Sequence, residues 1–96
     1  MSVSLSTHVL DTATGGPAVD VRVELSRDGA PVAATTTDGD GRARVGEDLE
    51  AGTYSLVFHP PSPFFTRVEL QVELEAGHYH VPLLVSPYGC VTYRGS

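Results

Sequence analysis

Hydrophobic and polar residues alternate with a period of two along most of this 96-residue chain. The clearest case is VDVRVELSR, residues 19–27, in which Val or Leu alternates with polar or charged residues. Alternation of this kind is typical of a β-strand with one buried face, because successive side chains of a strand point to opposite sides of the sheet. No segment of useful length shows the period of about 3.6 residues that marks an amphipathic helix.

Clusters of Gly, Pro and Asp divide the chain into about eight short strands, at the turn spacing that is usual for a β-sandwich. The strands are predicted at residues 4–11, 19–27, 32–38, 42–45, 53–59, 67–75, 78–87 and 89–94. Residues 46–52 (GEDLEAG) are expected to form a polar connection with room for one helical turn. Pro60 to Pro63 should break the chain, because proline lacks the backbone N–H that helices and sheets use. The pattern therefore predicts one all-β domain, residues 1–96, folded as a small antiparallel β-sandwich.

Composition narrows the range of partners. Six Lys+Arg residues against 12 Asp+Glu residues give a net charge of −6. Nucleic acids and anionic membranes bind clustered basic residues, so neither is an expected partner. No apolar run approaches the roughly 18–20 residues that span a bilayer, and the first residues, MSVSLSTHVLD, lack the basic and apolar pattern of a leader. The single cysteine, Cys90, allows no internal disulfide. We therefore expect a cytoplasmic protein.

Histidines on predicted strands are the first candidates for chemistry. His8 shares a strand face with Ser4 and Ser6, the less apolar of the two faces, where it could equally be a solvated structural residue. In GHYHVPLL, His78 and His80 share a face. A His-x-His pair can bind zinc, but a closed site needs about two more ligands. The remaining His and Cys residues are His8, His59 and Cys90. None of these forms a second close pair, so a metal site is not expected.

Arg42 follows the turn DGDG, whose Asp and Gly residues are explained by turn geometry. By itself Arg42 would be an ordinary surface arginine, although its planar fork of donors suits recognition of oxygen atoms. The sequence ends in TYRGS, residues 92–96, and this segment has no periodic explanation. An aromatic ring, a guanidinium, a glycine and a hydroxyl at this position leave two possibilities open, an end that frays, as unheld ends do, or a segment that is held in place.

Taken together, these motifs resemble one family, the 5-hydroxyisourate hydrolases, which are transthyretin-related proteins. LSTHVLDTATGGPAVDV resembles the opening segment of the family, DGDGR its middle motif, and HYHVPLLVSPYG followed by TYRGS its closing signature. The resemblance covers nearly the whole chain, and YRGS is its most specific part. The resemblance implies a transthyretin (prealbumin)-like sandwich. The YRGS segment separates the hydrolases from transthyretin itself, the hormone carrier of the same fold.

The resemblance implies hydrolysis of 5-hydroxyisourate to 2-oxo-4-hydroxy-4-carboxy-5-ureidoimidazoline during urate (purine) breakdown, with no cofactor. The implied catalytic residues are His8, Arg42, His80 and Ser96. The implied substrate-binding residues are His8, Arg42, His80, Tyr93, Arg94 and Gly95. His78 is expected to be a supporting or structural residue. A histidine that activates water and an arginine that stabilises the substrate would suffice for a reactive cyclic amide, and which histidine takes the first proton stays open.

The resemblance also implies a homotetramer, a dimer of dimers, with the sites at the dimer–dimer interface. The chain departs from the family at Pro60–Phe65, where a short helix is usual, so that helix is expected to be shortened or absent. Cys90 and Val91 stand where Tyr and a small polar residue are common. Two other classes of function stay open. One is a non-catalytic transthyretin-like module that binds a small ligand, and the other is a generic sandwich module, which would give no reason for HYH or YRGS.

Overall fold

The computed structural model describes residues 2–96 and contains ten β-strands and no helix in that range. The strands are β1 (Val3–Asp11), β2 (Gly16–Pro17), β3 (Arg22–Arg27), β4 (Ala30–Thr36), β5 (Arg42–Leu49), β6 (Gly52–His59), β7 (Val68–Leu74), β8 (Gly77–His80), β9 (Leu83–Ser86) and β10 (Gly89–Thr92). They form two sheets, which confirms the predicted all-β sandwich and the absence of the usual short helix. Over the same residues there is accordingly no helix of a length and hydropathy that could cross a membrane.

The first sheet is built around β1. This strand pairs with β2, β5, β8 and β9, and β10 extends the sheet beyond β9. The second sheet has the order β4-β3-β6-β7 and is antiparallel throughout. The predicted antiparallel sandwich differs in one respect, because β8 and β9 run parallel to β1. Side-chain alternation does not encode strand direction, and the long stretch of chain between β1 and β8 permits the parallel crossover.

Two of the differences from the predicted strand boundaries have local reasons. The segment expected as one strand at residues 78–87 is divided, because Pro82 has no N–H to donate, so β8 ends at His80 and β9 begins at Leu83. The strand expected from Val19 begins instead at Arg22. Asp20 has a left-handed φ of 59°, which turns the chain there and leaves Val19 48% exposed.

Residues 46–49 belong to β5 and do not form the polar connection expected for residues 46–52. Leu49 is buried and pairs with Val3 of β1, so the strand has to extend far enough to bring it there. The register between β5 and β1 shifts twice between Val3 and Ser6. Such a bulge accommodates the extra polar residues that precede Leu49 without breaking the pairing.

The hydrophobic core lies between the two sheets. Burial alternates along β1, as predicted: Leu5 and Val9 are fully buried, while the residues between them are only partly buried. Leu56 and Phe58 of β6 are the facing core residues of the second sheet and are equally inaccessible. Burial of each such side chain contributes about 1.5–3 kcal/mol. The opposite face of β1, which carries His8, therefore points away from the core.

Residues 60–65 lie in the connection between β6 and β7 of the second sheet, and they form no helix. The Ser62 hydroxyl accepts hydrogen bonds from the N–H groups of Phe64 and Phe65 at 3.1 and 2.9 Å, and it donates to the Pro87 carbonyl at 2.9 Å. One side chain thus satisfies backbone groups that a helix would otherwise pair, and it ties the loop to the turn before β10.

The DGDG turn holds Arg42 beside β1. The Asp38 carboxylate accepts the N–H groups of Arg42 and Asp40 at 3.0 and 2.9 Å, and these two bonds, the Arg42 bond first, hold the pKa of Asp38 below its ordinary value. The Gly41 carbonyl accepts the N–H of Val9 at 2.7 Å. Gly41 has a φ of 75°, and a Cβ atom there would collide with the Val9 carbonyl oxygen. Glycine is therefore required where the turn meets the strand.

We expect Gly41→Ala to lower the free energy of unfolding by about 1–3 kcal/mol, because alanine is strained at this φ and its methyl group meets β1. Gly39→Ala is a matched control in the same turn, since no atom lies within 4 Å of a Cβ at Gly39 and its φ is not left-handed. The control should change stability by less than about 0.5 kcal/mol. Urea denaturation measures both variants, and equal stabilities would contradict this account of the turn.

Candidate functional site

Three strands of the first sheet bring the predicted site residues onto one outward face. β5 pairs antiparallel with β1 so that Arg42 lies opposite His8, and β8 pairs parallel with β1 so that His80 lies opposite Ser6. Directly paired residues share a face of the sheet. Because Ser6 and His8 are two residues apart on β1, both pairs project to the same side. The structure therefore places His8, Arg42 and His80 together, although they are far apart in the sequence.

Two serines of β1 connect the histidines of β8. The Ser6 hydroxyl oxygen lies 2.8 Å from His80 Nδ1 and 2.9 Å from His78 Nε2. The second nitrogen of His78, Nδ1, lies 2.7 Å from the hydroxyl oxygen of Ser4. The side chains thus form one continuous hydrogen-bonded series in the order Ser4, His78, Ser6 and His80. His78 is therefore a partner of both serines, and its predicted supporting role has a specific geometry.

His8 is oriented by the DGDG turn. Its Nε2 lies 2.9 Å from the Asp40 carbonyl oxygen. A carbonyl oxygen only accepts hydrogen bonds, so the proton of the neutral ring is on Nε2 and Nδ1 carries the lone pair. The turn that positions Arg42 thereby also fixes the tautomer of the neighbouring histidine.

The end of the chain packs against β8. The N–H of Gly95 donates to the His80 carbonyl at 2.6 Å, and the two residues form an antiparallel bridge. A Cβ atom at Gly95 would stand 2.8 Å from Cδ2 of the His80 ring. Only a residue without a side chain can lie this close, so Gly95 forms one wall beside the imidazole.

The other tail residues take different positions. Arg94 lies over the ring of Tyr79, with its guanidinium carbon 4.3 Å from the ring centroid. Tyr79 points to the face opposite that of its neighbour His80, so in the single chain Arg94 is directed away from the predicted site. Tyr93 is 56% exposed, and Ser96 is also exposed. Among the predicted tail residues, Gly95 contacts the site histidine His80.

Electrostatics favour a neutral His80. Partial burial lowers its pKa below the ordinary value of 6.5, and the neighbouring His8, His78 and Arg42 lower it further because each carries or can carry positive charge. At neutral pH the imidazole is therefore unprotonated at one nitrogen and able to accept a proton. Since Nδ1 is directed at Ser6, the nitrogen left for a ligand is Nε2.

A shallow cavity of about 460 Å³ lies beside His8 and Arg42. Its remaining wall residues are Leu10, Gly15, Gly16, Pro17 and Asp40. Concave surfaces that combine apolar walls with a few polar groups are typical of small-molecule sites.

The other residues considered for metal binding lie apart. His59 is on the second sheet, where its Nε2 lies 2.5 Å from a carboxylate oxygen of Glu24. Cys90 is partly buried among apolar residues, and this burial raises the pKa of its thiol. In residues 2–96 no group of three or more His, Cys, Asp or Glu side chains is arranged to hold a metal ion.

Sequence reasoning did not identify Ser4 and Ser6 as partners of the histidines. Their position two residues apart on the face of His8 is visible in the sequence, but the parallel register that sets them opposite His78 and His80 is not. The contact between Arg94 and Tyr79 was also missed, because it depends on how the tail turns after β10.

Comparisons with known proteins show which family this chain belongs to. Residues 5–95 match the HIUase/Transthyretin family. A 5-hydroxyisourate hydrolase of Caulobacter vibrioides is 45% identical over 112 residues, covering 96% of this chain and 97% of that protein. The solved 5-hydroxyisourate hydrolase of Klebsiella pneumoniae superposes with a TM-score of 0.89 at 39% identity, covering 100% of both chains. Transthyretin from Sparus aurata superposes with a TM-score of 0.83 at 26% identity, covering 95% of each chain. This chain belongs to the HIUase/Transthyretin family.

Proposed function

We propose that this chain is a 5-hydroxyisourate hydrolase, which converts its small-molecule substrate to 2-oxo-4-hydroxy-4-carboxy-5-ureidoimidazoline in urate breakdown. The observation that carries the proposal is the convergence of His8, Arg42 and a neutral His80 on one sheet face. The relatives that share this sequence over almost its full length are named as hydrolases of that substrate. The proposal treats residues 1–96 as one transthyretin-like domain.

Hydrolysis of a ring amide requires a base for water and a donor for the oxyanion. In the proposed mechanism, His80 Nε2 takes a proton from water while the water oxygen bonds to the ring carbonyl carbon. The carbonyl electron pair moves onto its oxygen, and the Arg42 guanidinium stabilises the charge that forms there. The tetrahedral carbon then releases the ring nitrogen, and this nitrogen takes the proton from His80. The ring is opened and His80 returns to its neutral form.

His8 has a complementary role in the proposal. Its Nδ1 carries a lone pair because Nε2 donates to Asp40, so it is suited to accept a hydrogen bond from an N–H or O–H of the substrate ring. Arg42 donates from the neighbouring strand to ring oxygens. Together the two side chains would hold a flat polar ring in one orientation in front of His80, and such fixed geometry is a large part of catalysis.

The tail is proposed to close the site from the β8 side. Gly95 supports the His80 ring, and Ser96, which follows directly, is the proposed catalytic hydroxyl of this segment. Tyr93 and Arg94 are the proposed substrate contacts. For Arg94 this requires its side chain to leave the Tyr79 ring, a contact whose strength at an exposed site is about 0.5–1 kcal/mol.

We also propose a homotetramer formed as a dimer of dimers. The site face is open in a single chain, and Val91 and Tyr93 near the tail expose 60% and 56% of their surface. Within the described chain the outer edge of β7 has no strand partner, which leaves backbone groups available to another copy. Light scattering of the purified chain should give the mass of four copies, and a monomer at assay concentration would contradict the proposal.

The enzymatic test uses urate and urate oxidase to generate the substrate and follows the decay of its absorbance. We expect His8→Ala, Arg42→Ala and His80→Ala each to lower kcat/KM by about 10²–10⁴-fold, because each removes a group that accepts a proton, stabilises charge or orients the ring. His59→Ala is the matched control, since His59 lies on the other sheet, and it should retain wild-type activity. Wild-type decay no faster than the spontaneous reaction would exclude the hydrolase. Saturable ligand binding in that case would favour the non-catalytic carrier.

The tail is tested by Gly95→Ala. The added methyl group would meet His80 Cδ2 and displace either the ring or the tail, so activity should fall by at least about tenfold while the free energy of unfolding changes little. Gly39→Ala, which adds the same group where no atom is near, serves as the control in both measurements. Unchanged activity of the Gly95 variant would mean that the tail does not shape the site.

A further inference from the structure

The hydrogen-bonded series that begins at Ser4 and ends at His80 has no part in the reaction steps proposed above. We propose that Ser6 and His78 are positioning residues that select the tautomer of His80, so that its Nε2 is the nitrogen without a proton when water is attacked. This inference rests on the proposed function and extends it. Either nitrogen of a neutral imidazole can carry the proton, and the inference explains why Nε2 of His80 is the base.

When the Ser6 hydroxyl donates its proton to one of the two neutral histidines, the series has two arrangements. A serine hydroxyl has one proton to donate and two lone pairs with which to accept. In the first arrangement His80 Nδ1–H donates to Ser6, Ser6 donates to His78 Nε2, and His78 Nδ1–H donates to Ser4. In the second arrangement every bond is reversed, and the proton of neutral His80 is on Nε2. Only the first arrangement leaves Nε2 able to accept a proton.

The first arrangement also suits the charged intermediate. When His80 has taken a proton from water, both of its nitrogens are donors, and Nδ1–H still donates to Ser6. When the proton passes on to the ring nitrogen, the same neutral form returns. No hydroxyl in the series has to rotate during the cycle, so the direction of donation in every hydrogen bond of the series stays the same. In the second arrangement Ser6 donates to Nδ1, and this is incompatible with a charged His80.

The location of the series makes it rigid. Ser4 and Ser6 are on the central strand of the first sheet and lie directly opposite His78 and His80 in the parallel pairing. The residues that alternate with the serines, Val3 and Leu5 among them, are buried in the core, so the serines cannot move without the strand. The serine hydroxyl oxygens that form hydrogen bonds with the imidazoles are therefore fixed by the sheet itself.

The His80 ring is held on two sides. Nδ1 faces the Ser6 hydroxyl at 2.8 Å, and Cδ2 lies against the backbone of Gly95. These two atoms flank the ring carbon that joins the side chain, so Nε2 and Cε1 are left at the open end. Nε2 therefore projects outward on the face shared with His8 and Arg42, and none of residues 2–96 forms a hydrogen bond with it.

The test compares Ser6→Ala with Ser6→Thr, which restores the hydroxyl. Ser6→Ala should lower kcat by about 10–100-fold, part of the roughly 10²–10⁴-fold that a positioned general base supplies, while KM changes by less than about twofold. Ser6→Thr should recover most of the loss. His78→Ala should have a smaller effect than Ser6→Ala, and Ser4→Ala the smallest, because each lies further from His80 along the series. Ser55→Ala on the second sheet is a matched serine control.

A spectroscopic measurement keeps the inference separate from the enzymatic proposal. Heteronuclear NMR of histidine-labelled protein shows which ring nitrogen of His80 carries the proton, with its signals identified by their absence from His80→Ala. We expect the proton on Nδ1 in the wild type and a shift towards Nε2 in Ser6→Ala. If the wild type had no hydrolase activity, the proposed function would fail, while this measurement would still report on the tautomer.

Three results would overturn the inference. One is full kcat in Ser6→Ala. Another is an equal loss in Ser6→Thr and Ser6→Ala, which would indicate a steric effect in place of a hydroxyl effect. The last is a His80 tautomer that is the same with and without the Ser6 hydroxyl. Circular dichroism of each variant establishes that the fold is intact, and the His78→Ala variant, whose substitution is on the exposed strand face, provides an independent test if Ser6→Ala does not fold.

Discussion

The backbone pairing of β1 with β5 and β8 determines which side chains of this protein meet. β5 pairs antiparallel and β8 parallel with β1, and the register of these pairings places every residue of the candidate site on these strands. A slip of one residue would turn His8 towards the core and bring Thr7 to the site face. The arrangement of the site is therefore a consequence of sheet register, and the core on the other face of β1 is what fixes the register.

That core resists a slip by two means. Val3, Leu5 and Val9 are 0–1% exposed, so moving them to the solvent face would cost about 1.5–3 kcal/mol each. Thr7, between them, is also buried, and its hydroxyl donates to the Val81 carbonyl at 2.6 Å. A displaced Thr7 would leave buried polar groups without partners, which adds a further penalty. Apolar burial and one hydrogen bond thus hold the strand, and the polar face is free to carry reactive residues.

The sequence predicts which face of its strand each candidate residue occupies, but it does not predict how the strands pair. Alternation in STHVLD and in GHYHVPLL places His8, His78 and His80 on the correct faces, because alternation is a local property of the chain. It cannot show that β8 runs parallel to β1, and hence that Ser6 meets His80. The extension of β5 to Leu49 was missed for a similar reason, since the polar residues before it follow no alternation and only pairing with β1 makes them a strand. The tail was recognised by its resemblance to a family motif, whereas the contact of Arg94 with Tyr79 depends on the turn after β10.

The hydrogen bond between Ser6 and His80 joins residues 74 positions apart. A contact of such separation requires a long loop to be closed, and the entropy of closing it is lost before the contact gives anything in return. The pairings of the second sheet join residues that are closer in sequence, the widest being Arg22 with His59. The site therefore exists only where strands from both ends of the sequence have paired, and a chain that has only its second sheet in place has no site at all. In this fold, the meeting of His8, Arg42 and His80 is a direct sign that the first sheet is complete.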